Sequence, residues 1–184
     1  FMYYGIFKNE IIKTLKAREE LTVREIKANL DSKIDTVFQT MNSLRTGDEA
    51  IYFLSETDSE NREPLFQIRR ALRSVQDMIS FPVRINIVDI DGNVRASSSG
   101  FAGNIANWEY FRTARSGYVV TTFDPLLPGP AGPLYTVAAP VYRQDSERQT
   151  VGVVLVTVSL QDLLRNDIRE RYGNNETTTL ALLD

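Results

Sequence analysis

The sequence predicts an α+β fold: a long N-terminal helix, then a core with a central antiparallel sheet of about five strands flanked by helices. Three observations lead there. A stretch without proline or glycine runs from Lys8 to Leu44 and is rich in Lys, Glu, Arg, Leu and Ile. After Pro82 come short β-branched and aromatic runs separated by turn residues, which is strand patterning. Between the second and third of these runs lies an aromatic segment, Trp108-Glu-Tyr-Phe-Arg-Thr-Ala-Arg-Ser-Gly117, with glycine where a short helix would stop.

In the first helix Val23, Ile26, Leu30, Ile34, Val37, Met41 and Leu44 step by three and four, and Ile12 and Leu15 extend the seam backwards. At 1.5 Å per residue such a helix runs about 55 Å, more than the diameter of a small domain. Part of it must therefore stand clear of the core or pack on a second copy. The C-terminal half reads as an amphipathic helix lying on its own domain, and the N-terminal half as a two-copy contact. Gly47 and Asp48 interrupt the helix, and Ser55 to Asn61 is a polar loop. A second helix is expected from Glu63 to Ile79, with Leu65, Ile68, Leu72, Val75 and Ile79 on one face. Pro64 suits its first turn, where a missing N–H costs nothing.

Val83 to Asp89 alternates apolar with polar residues, and Val94 to Ser98 returns across an Asp91-Gly92 turn. Tyr118 to Phe123 is a third strand. Leu134 to Tyr142 and Val151 to Leu160 form a last hairpin, apolar enough to be covered on both faces. The Pro/Gly-rich stretch from Pro125 to Pro133 is a loop. Gln161 to Tyr172 reads as helix closed by Gly173, and Thr177 to Asp184 as the opening strand of a further module. The expected division is 1–46 for the long helix, 47–165 for the core, and 166–184 for the connecting helix and first strand of a second module.

Composition narrows the function. A net charge of −3, from 21 basic and 24 acidic residues intermixed, offers no broad positive face for nucleic acid. Absent cysteine removes disulfides and thiolate chemistry, and absent histidine removes the commonest general base and metal ligand. No catalytic residue, metal ligand or cofactor motif is recognisable. Asp89 and Asp91 flank a turn but lack the dense alternating acids of a calcium loop. The longest apolar run, Val151 to Leu160, is half of what a membrane-spanning helix needs. Phe1-Met-Tyr-Tyr-Gly-Ile-Phe7 followed by Lys8 fits the interfacial end of a transmembrane helix. A vector remnant or a packing staple is the plainer alternative.

Four segments resemble the Cache family of PAS-like extracytoplasmic sensor domains: Ile87 to Ser97, Tyr110 to Gly117, Ala139 to Tyr142, and Val151 to Leu163. They keep the family's order across roughly residues 80 to 165. The resemblance implies a periplasmic or extracellular domain of a membrane-anchored receptor whose output is a histidine kinase, diguanylate cyclase or chemotaxis module. The expected partners are a small-molecule ligand, such as a small carboxylate, and a second copy of the chain in a homodimer through the N-terminal helix.

A ligand needs a concave, mostly apolar chamber with a few inward polar groups. The candidates are Trp108, Tyr110, Phe111 and Arg112 on the short helix, with Thr121, Phe123, Asp124 and Tyr135 expected across from it on the sheet. Helical spacing cannot put all three aromatics on one face, so at least one belongs to the core. Amino-acid-binding members carry an Arg-x-Trp-Tyr motif for the carboxylate and a later Asp for the amine. Trp108, Tyr110 and Phe111 match its aromatic part, and Asp124 lies near the Asp. The motif's arginine is missing, which puts an α-amino acid ligand in question. Arg112 is the alternative partner for an anion, against the plainer reading of a solvated helix-face charge. Two other classes stay open: a dimerisation or partner-protein module whose pocket is filled by side chains, and a carboxylate-dependent hydrolase.

Overall fold

A computed structural model describes residues 2–56, 63–124, 133–143 and 149–165, with only the backbone for 2–12, 14, 15 and 124. Helix α1 spans Met2–Thr46. The chain divides into two compact units, Phe1–Ile34 with Leu164–Asp184, and Asp35–Leu163. The second unit therefore begins inside α1. Its stretch of α1 buries Val37, Met41 and Leu44, the C-terminal end of the predicted seam. In the first unit Val23, on the same seam, is 65% exposed. No helix among the described residues is long and apolar enough to cross a membrane.

Gly47 interrupts the helical path as expected, but a short helix, α2 (Asp48–Ser55), follows at once. Sequence reading passed over α2 because eight residues give barely two turns of periodicity. Its Ala50 and Phe53 are buried. Helix α3 spans Glu63–Met78 and buries Pro64, Ile68 and Leu72.

The sheet consists of β1 (Val83–Asp89), β2 (Val94–Ser97), β3 (Val120–Asp124), β4 (Leu134–Tyr142) and β5 (Thr150–Ser159). All neighbours are antiparallel, in the order β2-β1-β5-β4-β3. β5 and β4 are interior, and buried residues run almost unbroken along both. That is the burial of strands covered on both faces. On one face, Gly152 of β5 lies so close to Leu54 of α2 that a Cβ there would come within 2.8 Å of Leu54 Cδ1. On the other face sits α4 (Glu109–Arg115), whose Phe111 and Ala114 are fully buried with Val88, Ala138, Val153 and Leu155. Residues 160–165 are helical; the predicted continuation to Tyr172, the strand after Thr177 and the proline-rich loop at 125–132 lie outside the described residues.

Candidate functional site

The chamber is built from the β1–β2 turn outward. Gly92 adopts φ +87°, a left-handed conformation that glycine enters without steric cost, and its N–H donates to Asp89 O at 3.0 Å. Asp89 Oδ1 accepts from the backbone N–H of Asp91 (3.1 Å) and of Asn93 (2.8 Å), so the acid stabilises the turn. The loop after β2 is tied onto this turn. Val94 N–H donates to Gly103 O, Ile105 N–H donates to Gly92 O, and Asn104 Nδ2 donates to Asp91 O. These bonds hold Phe101 and Ile105 beside the sheet and deliver the chain into α4 at Trp108. Gly117, at φ +105°, ends the helix, and its carbonyl accepts from Tyr142 Oη at 2.9 Å.

Between this loop, the start of α4 and the sheet lies a partly open cavity of about 160 Å³. Trp108 and Tyr110, edge-to-face with ring centroids 5.4 Å apart, form one wall with Phe101 and Ile105. The sheet supplies Leu134, Leu155 and Thr157, and β1 supplies Arg84 and Asn86. Drug-sized pockets hold about 300–1,000 Å³, so this one suits a small metabolite. Thr157 Oγ1 is 3.0 Å from Thr136 Oγ1, so one of these buried hydroxyls donates to the other.

Two polar groups are left over. Arg84 is the one charged side chain on the lining, and it has no ion pair or hydrogen bond among the described residues. Asn86 Oδ1 is buried and accepts no hydrogen bond from the described residues. Leaving such an acceptor unpaired costs about 1–3 kcal/mol, which a ligand or water donor relieves. Among the described residues the lining holds no acidic side chain. The site is therefore apolar with a cationic pole, suited to an anion no larger than a small organic acid.

Of the residues singled out in the sequence, the structure brings Trp108 and Tyr110 to this cavity. Phe111 is instead a fully buried core residue. Arg112 faces solvent on α4. Thr121, Phe123 and Tyr135 do not face Tyr110. Tyr135 pairs with Val158 and Phe123, and the sheet's period of two sets these opposite Leu134, Leu155 and Thr157. The Phe123 and Tyr135 rings pack 5.0 Å apart on that far face. Burial raises the Tyr135 phenol above its ordinary pKa. Asp124 pairs in register with Leu134 at the end of β3. Arg84 and Asn86 escaped sequence reading. They are the polar alternates of β1, which ordinarily face solvent, and the available signal was that both strand faces here are covered.

No family model matches the chain, and no curated protein matches its sequence. Solved structures do. The extracellular domain of an assigned histidine kinase, vpHK1S-Z8, superposes with a TM-score of 0.64 at 16% identity, covering 82% of this chain and 61% of that one. The sensor domain of DcuS from E. coli gives 0.55 at 15% identity, covering 77% and 98%. The ligand-binding domain of the amino acid chemoreceptor PctC of Pseudomonas aeruginosa, in complex with GABA, gives 0.52 at 16%, covering 80% and 63%. The chain thus spans less than two thirds of the first and third. Its fold is that of extracellular sensor domains, the Cache-like architecture that the sequence resembles.

Proposed function

We propose that this chain, which has the sensor-domain fold, is the extracytoplasmic ligand-sensing part of a membrane-anchored receptor and binds a small carboxylate beside Arg84. The observation that carries this reading is a guanidinium with no partner among the described residues, on the wall of a mostly apolar cavity whose described lining holds no acid. A guanidinium forks onto a carboxylate through two parallel N–H···O bonds, and Trp108 and Tyr110 give the ligand's carbon skeleton an aromatic wall. The bound GABA in the chemoreceptor of like fold supports a small-molecule role for such a chamber. The domain itself is read as non-catalytic, with signalling chemistry in a separate output module. It works as a homodimer joined along the N-terminal half of α1, whose seam carries the exposed Val23. The residues after 165 are read as leading into a second module.

The test is thermal denaturation in acetate, succinate and γ-aminobutyrate, with wild type and with Arg84→Ala. A ligand present at a hundredfold over its Kd stabilises by about 2.7 kcal/mol, which for a chain of this size raises Tm by about 5–11 °C. At least one acid is expected to do so in wild type and not in Arg84→Ala, while Arg112→Ala keeps the response. Equal responses in wild type and Arg84→Ala, or none to any small acid, would sink the assignment.

A further inference from the structure

β1 extends beyond its neighbour β2. The pairing of β1 with β2 begins at Asn86, so among the described residues no strand lies beside the outer edge of Val83 to Ile85. Two side chains fill the gap. Gln76 Nε2, from the last turn of α3, donates to Val83 O at 3.0 Å. Ser98 Oγ accepts from Ile85 N–H at 2.9 Å, and Ser98 N–H donates to Ile85 O at 2.9 Å. Arg84 sits between these pinned positions. Its own pairing runs the other way, to Thr157 of β5.

Ser98 belongs to the loop, but Gln76 belongs to the helical layer on the far side of the sheet. The same helix lines a cleft with the last turns of α1: Ile68, Ala71 and Val75 of α3 face Ser43 and Leu44. Among the described residues, the Gln76 side chain makes the hydrogen bond that joins α3 to the strand carrying the cavity's cation. The geometry points to Gln76 as a positioning residue: it holds the start of β1, where Arg84 stands, against α3, and passes a shift of β1 to α3 and the end of α1. This rests on the reading of the cavity as an anion site. A ligand acts through such a contact only by favouring one of two arrangements, and spatial adjacency becomes coupling only when a substitution at the link breaks it.

The cysteine-free chain allows a test that needs no knowledge of the natural ligand. Ser99→Cys puts a thiol on the cavity rim, since Ser99 is exposed and lines the chamber. Iodoacetate then tethers a carboxylate there, the thiolate sulfur forming a bond to carbon as iodide leaves, and iodoacetamide tethers a neutral group of like size. Amide hydrogen exchange is measured over 83–89, 63–78 and 35–46 in the full chain, with Gln76 and with Gln76→Met. The carboxylate adduct, against the neutral one, is expected to change exchange in all three segments on the order of fivefold. With Gln76→Met the response of 83–89 remains and those of 63–78 and 35–46 disappear. Gln76→Glu, which keeps the shape and loses the donor, serves as a second variant should the methionine chain not fold. Helices that respond equally without the donor, or stay silent while 83–89 responds, overturn the role of Gln76. Silence of 83–89 itself overturns the anion site, and the coupling with it.

Discussion

Tyr135 shows how a residue placed in the site by sequence becomes something else in the fold. Its ring belongs to the face away from the cavity, and burial raises its phenol pKa. A raised folded-state value means the neutral form is the one the fold favours. The stabilisation is complete below the unfolded value of about 10 and is lost as pH climbs past it toward the folded one. Tyr135→Phe is therefore expected to flatten the alkaline limb of stability against pH while leaving neutral pH nearly unchanged, as denaturant melts between pH 8 and 11 would record. An alkaline limb unaltered by the substitution would mean other groups carry it. Phe111 teaches the same lesson without a charge. Three aromatics in four positions guaranteed one core residue, and contact with Ala138 and Leu155 decided which.

Single elements were read well where their periodicity was long. The predicted Val83 to Asp89 strand is β1, and the predicted Glu63 to Ile79 helix ends one residue early, at Met78. α2 was missed because brevity leaves little pattern. Its packing explains a glycine that no turn requires: Gly152, inside the otherwise bulky β5, lies beneath Leu54. Gly152→Ala sets a methyl against that side chain and the Val88 carbonyl. The expected cost is about 1–3 kcal/mol, seen as a lower Tm by calorimetry. A neutral result would show that α2 lifts freely from the sheet. The edge of β1 is the converse case. Nothing in the pattern of a strand reveals that a glutamine from a helix completes its hydrogen bonding.

For the whole molecule the apolar seam of α1 is the informative feature. It is buried at Val37, Met41 and Leu44 and exposed at Val23, yet one helix carries it throughout. Apolar spacing that continues past the chain's own cover suits a second copy. Val23→Glu is expected to shift sedimentation toward monomer at micromolar concentration without lowering Tm, because the Asp35–Leu163 unit keeps its buried residues. A wild type already monomeric at high concentration would remove the helical dimer from the account. The sensor reading at Arg84 would stand without it.

The sequence by itself determined the order of the strands and of the helices other than α2, the Gly92 turn, the helix stop at Gly117 and the resemblance to sensor domains. Each follows from local preference or short-range periodicity, which neighbouring residues encode directly. Only the tertiary structure decided that the cavity's cation is Arg84 rather than Arg112, and that Trp108 and Tyr110 face it while Tyr135 does not. Those facts depend on strand register and on which loop folds over which sheet face. Register is settled between residues far apart in the chain, and a shift of one position exchanges the two faces.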